Sequence, residues 1–320
     1  MKKKIFVNGV IHPLVIQELE KEHEILFLPQ NPSEQSAFIS SIASEISVVL
    51  SGTSQPAVDK VFIDQFPNLK LIASFGVGYD HIDVVYAASK GILVSHTPDV
   101  LTDEVADLAI GLTLCVLRQL PQADRFVRDG LWETQKFPLS FSLRNRKVGI
   151  VGLGRIGAAI AKRFEAFGIE IAYHNRTKRP DVPYKYYETV KALAEACNLL
   201  VVAAPGGTET HHLINEDILK ALGASGILIN IARGSVVDEN ALIKALANKT
   251  IASAGLDVFT KEPHVPLALR DMKHIVLFPH IASASVETRD EMAKLVVNNV
   301  FVWEKTGKAL TPTPETKHLN

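Results

Sequence analysis

Six residues, Gly152-Leu153-Gly154-Arg155-Ile156-Gly157, stand between the apolar run Val148-Gly149-Ile150-Val151 and the helix-forming Ala158-Ala159-Ile160-Ala161. A strand, a glycine turn and a helix start therefore follow one another without a gap. Gly152 allows a tight turn, Gly154 lets backbone N–H groups approach a pyrophosphate, and Gly157 lets the helix lie close against the strand. The helix N-terminus adds a partial positive charge. Ile156, Ile160, Phe164 and Phe167 recur at helical spacing, Gly168 stops the helix, and Ile169 to His174 reads as the next strand. The pattern is that of a dinucleotide site at the first turn of a βαβ unit.

A chain of 320 residues exceeds what one hydrophobic core usually serves, so two domains are expected, and 47% hydrophobic residues suffice to fill both. The formal charge of -1 leaves no summed positive field for nucleic acid or anionic lipid, which points to small-molecule partners. Cys115 and Cys197 lie far apart in apolar segments, giving neither a disulfide framework nor a metal-ligand cluster. No metal is expected. Met1-Lys2-Lys3-Lys4 starts positive, but Asn8 and Gly9 interrupt the apolar run behind it, so it reads as a first strand rather than a signal segment. No apolar run reaches bilayer length. The compartment expected is the cytoplasm.

Five short apolar runs alternate with helical stretches in the first hundred or so residues: Ile5–Val7, Ile25–Leu28, Val48–Leu50, Leu71–Ser74 and Ile92–Ser95. They predict a small parallel α/β unit. Thr97-Pro98-Asp99 then starts a long helix with Leu101, Val105, Leu108, Leu112 and Val116 on one face. Residues 125–146 have no period and read as an irregular arm or an ordinary surface loop. From Lys147 six strands are expected, at Val148–Val151, Ile171–His174, Leu199–Ala204, Ile227–Ile231, Ser253–Asp257 and Ile275–Phe278, as in a doubly wound sheet. Met292, Leu295, Val296, Val300 and Trp303 form the stripe of a last helix that returns to the first domain, and Thr311-Pro312-Thr313-Pro314 reads as a loose tail.

In doubly wound sheets ligands gather at the carboxyl ends of strands. Arg233, Asp257 and His280 each follow or end an expected strand, and Glu262 lies on the loop after Asp257. Taken singly they are a surface cation, a turn residue, a solvated loop histidine and a solvated charge. As a set they have one job. Arg offers a planar fork for a carboxylate, His exchanges a proton near neutral pH, and a neighbouring carboxylate keeps the imidazole charged and oriented. Beside a reduced nicotinamide, such a set suits reduction of a 2-oxo acid.

Over nearly its whole length the chain resembles the D-isomer-specific 2-hydroxyacid dehydrogenases. The resemblance rests on Val148 to Gly157, Asn230-Ile231-Ala232-Arg233-Gly234, Gly255-Leu256-Asp257-Val258-Phe259 with Glu262-Pro263, and Pro279-His280-Ile281, in that order. It implies an α/β fold: a Rossmann doubly wound parallel sheet plus a smaller flavodoxin-like α/β substrate domain. Residues 1–98 with 287–320 would form the discontinuous substrate domain, and 99–286 the dinucleotide-binding domain. It implies that Arg233 grips the substrate carboxylate, that His280 is the acid or base and that Glu262 is its partner. The cofactor would meet Gly152, Leu153, Gly154, Arg155, Ile156 and Gly157, with Thr102, Ala204, Pro205 and Ile231 lining it and Asp257 at the nicotinamide end. Ser74-Phe75-Gly76-Val77-Gly78 looks like the family's substrate loop, with the N–H groups of Val77 and Gly78 on the carboxylate. Family analogy further implies a homodimer and domain closure. Ala282 stands where the family often has Gly.

No carboxylate stands about twenty residues past the glycine turn to hold a ribose 2′-hydroxyl. Asn175-Arg176-Thr177-Lys178-Arg179 occupies that place. Either this is a solvated basic turn, or Arg176 and Thr177, helped by Asn175, bind a 2′-phosphate; the second reading predicts NADPH over NADH, with NADH still possible. Val127 to Trp132, Asn175-Arg176-Thr177 and Val286-Glu287-Thr288-Arg289 most resemble the glyoxylate and hydroxypyruvate reductase branch, including the hydroxyphenylpyruvate-reductase type. A corepressor family uses the same scaffold with similar motifs, so a nucleotide-sensing binding protein is the alternative function.

Overall fold

The computed structural model describes residues 2–52 and 56–320. The chain divides into two compact units, Met1–Leu101 with Ser285–Asn320, and Thr102–Ala284. Met1, the first residue of the expected N-terminal strand, lies outside the described residues.

The first unit alternates β1 (Lys3–Asn8), α1 (Pro13–Leu19), β2 (His23–Phe27), α2 (Pro32–Ile42), β3 (Ile46–Ser51), α3 (Lys60–Ile63), β4 (Leu71–Ser74), α4 (Val84–Ser89) and β5 (Leu93–Ser95). All neighbouring strands are parallel, in the order β2-β1-β3-β4-β5, which is flavodoxin-like. Ile5, Phe6 and Val7 are consecutive and all buried, because helices cover both faces of such a sheet. Phe6, Phe62 and Phe66 pack ring against ring, with centroids 5.1 to 6.2 Å apart. Side chains of Asn31, Asp59 and Asp83 cap α2, α3 and α4.

The second unit opens with α5 (Thr102–Arg118) and α6 (Leu120–Arg128), then runs β6 (Lys147–Val151), α7 (Arg155–Ala166), β7 (Glu170–His174), β8 (Lys185–Tyr186), α8 (Val190–Ala196) and β9 (Leu199–Val202). It continues through α9 (Glu216–Leu222), β10 (Ile227–Asn230), α10 (Glu239–Ala247), β11 (Ser253–Leu256), α11 (Leu267–Arg270) and β12 (Val276–Leu277). The strands lie in the order β12-β11-β10-β9-β6-β7-β8, the doubly wound arrangement with its switch point between β6 and β9. Gly255 on β11 lets α5 lie close, since a Cβ there would stand 2.8 Å from Leu112 and from Val116. The last helix, α12 (Val286–Thr306), packs on α1 and β4 of the first unit. Among the described residues no helix is long and apolar enough to cross a membrane.

Four expectations change. The second sheet has a seventh strand, β8, two residues long and paired through Ala172 with Lys185 and Tyr173 with Tyr186, too short to carry a period. The helix after Thr97-Pro98-Asp99 starts at Thr102, because Asp99 adopts φ +72°, outside the helical region. Residues 125–128 of the expected irregular arm are helical, as the end of α6. The C-terminal segment is no loose tail. Thr313 and Thr316 are fully buried, and the Thr316 hydroxyl accepts from the Val94 N–H at 3.2 Å and donates to the Val94 carbonyl at 3.1 Å. The exposed backbone edge of β5 is satisfied by this hydroxyl and by a bridge between Ser95 and Pro312.

Candidate active site

Three neighbouring strands, β10, β11 and β12, end at one edge of the second sheet, and the loops after them carry Arg233, Asp257 with Glu262, and His280. The structure thus brings together the four residues singled out by their places in the sequence. His280 Nδ1 lies 2.7 Å from Glu262 Oε2, while Glu262 Oε1 accepts the Phe259 N–H at 2.9 Å. Burial alone would raise the Glu262 carboxyl, but the His280 ring, the Phe259 N–H and the Arg233 charge together hold it below its ordinary value. An ionised carboxylate only accepts, so Nδ1 carries the hydrogen of this bond and Nε2 is the nitrogen left to exchange a proton. Among the described residues Nε2 has no partner.

The loops are pinned by residues at the strand ends. Asp257 is fully buried; its carbonyl accepts the His280 N–H at 2.8 Å, and its carboxylate accepts those of Ile281 at 2.8 Å and Ala282 at 3.0 Å. Burial pushes the Asp257 carboxyl up, opposed by those two N–H groups. The clamp holds His280 in the left-handed region, φ +52°, where a non-glycine residue persists only under restraint. Asn230 does the same for the neighbouring loop. Its Oδ1 accepts the Ala232 N–H at 3.1 Å and its Nδ2 donates to the Arg233 carbonyl at 3.0 Å. Arg233 Nη1 donates to the Ala232 carbonyl at 2.8 Å. A Cβ on Gly234 would stand 1.9 Å from the Phe259 carbonyl carbon, so only glycine lets the Arg233 loop lie against the backbone leading to Glu262. Neither Asn230 nor Gly234 was given a role from the sequence; a lone polar residue closing the apolar strand Ile227-Leu228-Ile229 was the available signal for the first.

The glycine turn fits a dinucleotide. Gly152 has φ +95° and a Cβ there would stand 2.6 Å from the Ala204 nitrogen, while one on Gly157 would stand 2.2 Å from the Gly152 carbonyl oxygen. The fold itself therefore needs both. Gly154 is different: its φ is -82°, and an added Cβ would meet nothing within 4 Å. No side chain caps α7 at this N-cap position. What Gly154 leaves clear is the space at the helix N-terminus where a pyrophosphate sits. Ala204 and Pro205 follow β9 and Ile231 follows β10 at the same sheet edge, and Thr102 begins α5.

Asn175, Arg176 and Thr177 follow β7. Asn175 Oδ1 accepts the Leu153 N–H at 2.6 Å, so this carboxamide fixes the glycine turn, a task that its place in the sequence does not show. The exposed Arg176 guanidinium pairs with Glu209. In the first unit the Gly76 carbonyl accepts the Thr97 N–H at 2.8 Å and the Val77 carbonyl lies 3.0 Å from His96 Nδ1. The N–H groups of Val77 and Gly78 have no partner among the described residues. Ala282 is buried.

A family model described as D-isomer specific 2-hydroxyacid dehydrogenase, NAD binding domain, matches residues 110–282. The chain is 48% identical over 295 residues to a glyoxylate/hydroxypyruvate reductase of Arabidopsis thaliana, covering 92% of this chain and 94% of the relative. It is 45% identical over 296 residues to the hydroxyphenylpyruvate reductase of Plectranthus scutellarioides, covering 92% and 94%. Among solved structures, an NADPH-dependent glyoxylate/hydroxypyruvate reductase from Sinorhizobium meliloti, in complex with NADP and malonate, matches with TM-score 0.94 and 48% identity over 99% of this chain and 98% of that one. The chain belongs to the D-isomer-specific 2-hydroxyacid dehydrogenase family. These relatives are reductases, and the corepressor-like alternative gains no support from them.

Proposed function

We propose that the protein reduces a small 2-oxo acid, of the glyoxylate or hydroxypyruvate kind, to the D-2-hydroxy acid with NADPH. The observation that carries this is the His280–Glu262 pair at 2.7 Å with Arg233 on the abutting loop. Reduced nicotinamide, when bound, supplies the two electrons and the hydrogen that go to C2. His280 gives the carbonyl oxygen its proton from Nε2, and Glu262 stabilises the imidazolium beforehand and holds the ring in place. Arg233 grips the carboxylate and polarises the carbonyl; the unpartnered N–H groups of Val77 and Gly78 add two donors to that carboxylate. Residues 152–157 hold the pyrophosphate, with Thr102, Ala204, Pro205, Ile231 and Asp257 lining the cofactor. Arg176 and Thr177 bind the 2′-phosphate, the Arg176 guanidinium exchanging Glu209 for the phosphate. The names of the relatives support the coenzyme and the substrates.

On this reading the first unit binds substrate and the second the dinucleotide. The partner is a small molecule rather than nucleic acid. Two free cysteines suit the reducing cytoplasm. The enzyme works as a homodimer, for which the exposed Leu131, Trp132, Leu139 and Phe141 offer apolar surface. A panel of glyoxylate, hydroxypyruvate, pyruvate and aryl-pyruvates against both coenzymes tests the core of it. NADPH oxidation matched by hydroxy acid formation is expected; a higher kcat/KM with NADH overturns the coenzyme assignment. His280→Ala should lower kcat by roughly a hundredfold or more where chemistry limits the rate.

A further inference from the structure

Arg289 is a cation in an unfavourable place. It is the fourth residue of α12, at the end of the helix where positive charge is disfavoured, and it is half-buried. Its guanidinium carbon lies 5.6 Å from the centroid of the Phe75 ring. Among the described residues its side chain has no carboxylate and no hydrogen-bond acceptor as partner, although lost hydration pulls its pKa down from the ordinary value. The neighbouring Asp290 carboxylate faces His12 instead, 3.8 Å from Nε2, and the His12 ring stacks parallel to Phe75 at 6.0 Å. A desolvated guanidinium without an anion costs stability, and the ring face beneath it offsets only part of that cost.

Phe75 leads directly into Gly76-Val77-Gly78, where two adjacent N–H groups are unpartnered. Two backbone donors and one planar guanidinium, all within the first unit, thus border the same short loop. We infer that Arg289 is a specificity-determining residue that reads an oxygen on C3 or beyond of the 2-oxo acid, so that hydroxylated 2-oxo acids are selected over their deoxy counterparts. This rests on the proposed reduction of 2-oxo acids, in which Arg233 and the loop N–H groups serve the carboxylate. The Arg289 fork, held over the phenyl ring, keeps its N–H donors for a hydroxyl. A site built to hydrogen-bond a substrate hydroxyl rejects the analogue that lacks it.

Hydroxypyruvate and pyruvate differ by one C3 hydroxyl, so the ratio of their kcat/KM values with NADPH is the readout. In Arg289→Met that ratio should fall about tenfold or more, the scale of one lost charge-assisted hydrogen bond. Arg289→Lys, which keeps the charge without the planar fork, should give an intermediate ratio and serves alone if the methionine variant does not fold. An unchanged ratio in both variants, with both substrates slowed alike, overturns the inference, since that is the signature of a structural or carboxylate-binding role. Failure of the wild-type enzyme to reduce hydroxypyruvate or glyoxylate at all would instead sink the proposed reaction.

Discussion

His280 adopts φ +52° and its ring nitrogen meets Glu262, so its position is set from both the backbone and the side chain. Because the folded-state pKa of Glu262 lies below its unfolded value of about 4.3, the pair stabilises the protein fully above that pH. That contribution is lost as pH falls through the depressed folded value. Glu262→Gln removes it, so its melting temperature should decline less steeply than the wild type's between about pH 5 and pH 3. Identical acid declines in the two proteins would contradict this account. Arg233, Glu262 and His280 were legible because each follows a strand end within a recognisable motif. Asn230 and the clamping use of Asp257 were not, because a side chain that bonds a backbone two or more than twenty residues on leaves no periodic trace.

At the level of elements, the catalytic edge depends on how closely two loops approach. Gly234 lets the segment after β10 lie on the Phe259–Thr260 backbone, where a Cβ would come within 2.3 Å of the Thr260 nitrogen. Gly234→Ala must push the Arg233 loop away from the Glu262 loop. A misplacement near 1 Å costs on the order of a hundredfold in kcat/KM, which steady-state assays with the 2-oxo acid will show. The melting temperature should fall as well; a variant with unchanged kinetics and melting would mean that the loops have room to spare. Strand positions in both sheets could be read from their apolar runs, since these strands are covered on both faces. The two-residue β8 could not, as it exists only through pairing with β7. The start of α5 shifted for a local conformational reason, the positive φ of Asp99.

Across the whole chain, the first unit is closed by both ends of the sequence. Thr316 is bonded to Val94, 222 residues away, and Thr311 and Asn299 tie the same segment to α12. Thr316→Val keeps the volume but strands the buried Val94 N–H, while the Val94 carbonyl keeps the Thr313 N–H at 2.8 Å, a loss of about 1–3 kcal/mol. Urea unfolding should show a lower midpoint at an unchanged m value, with the unfolding free energy reduced by that amount; no shift would mean that water reaches the β5 edge after all. The alternation of strands and helices, the glycine turn at β6 and the order of the chemical motifs are written into the residues themselves, because hydrophobic period and backbone freedom are local properties. Folding in three dimensions settled which strand ends carry clamps, how Gly154 differs from Gly152 and Gly157, and that Thr313 and Thr316 of a polar C-terminal segment are buried. Those outcomes depend on partners distant in the chain, and a hydrogen-bond donor reveals its acceptor only once folding has brought the two together.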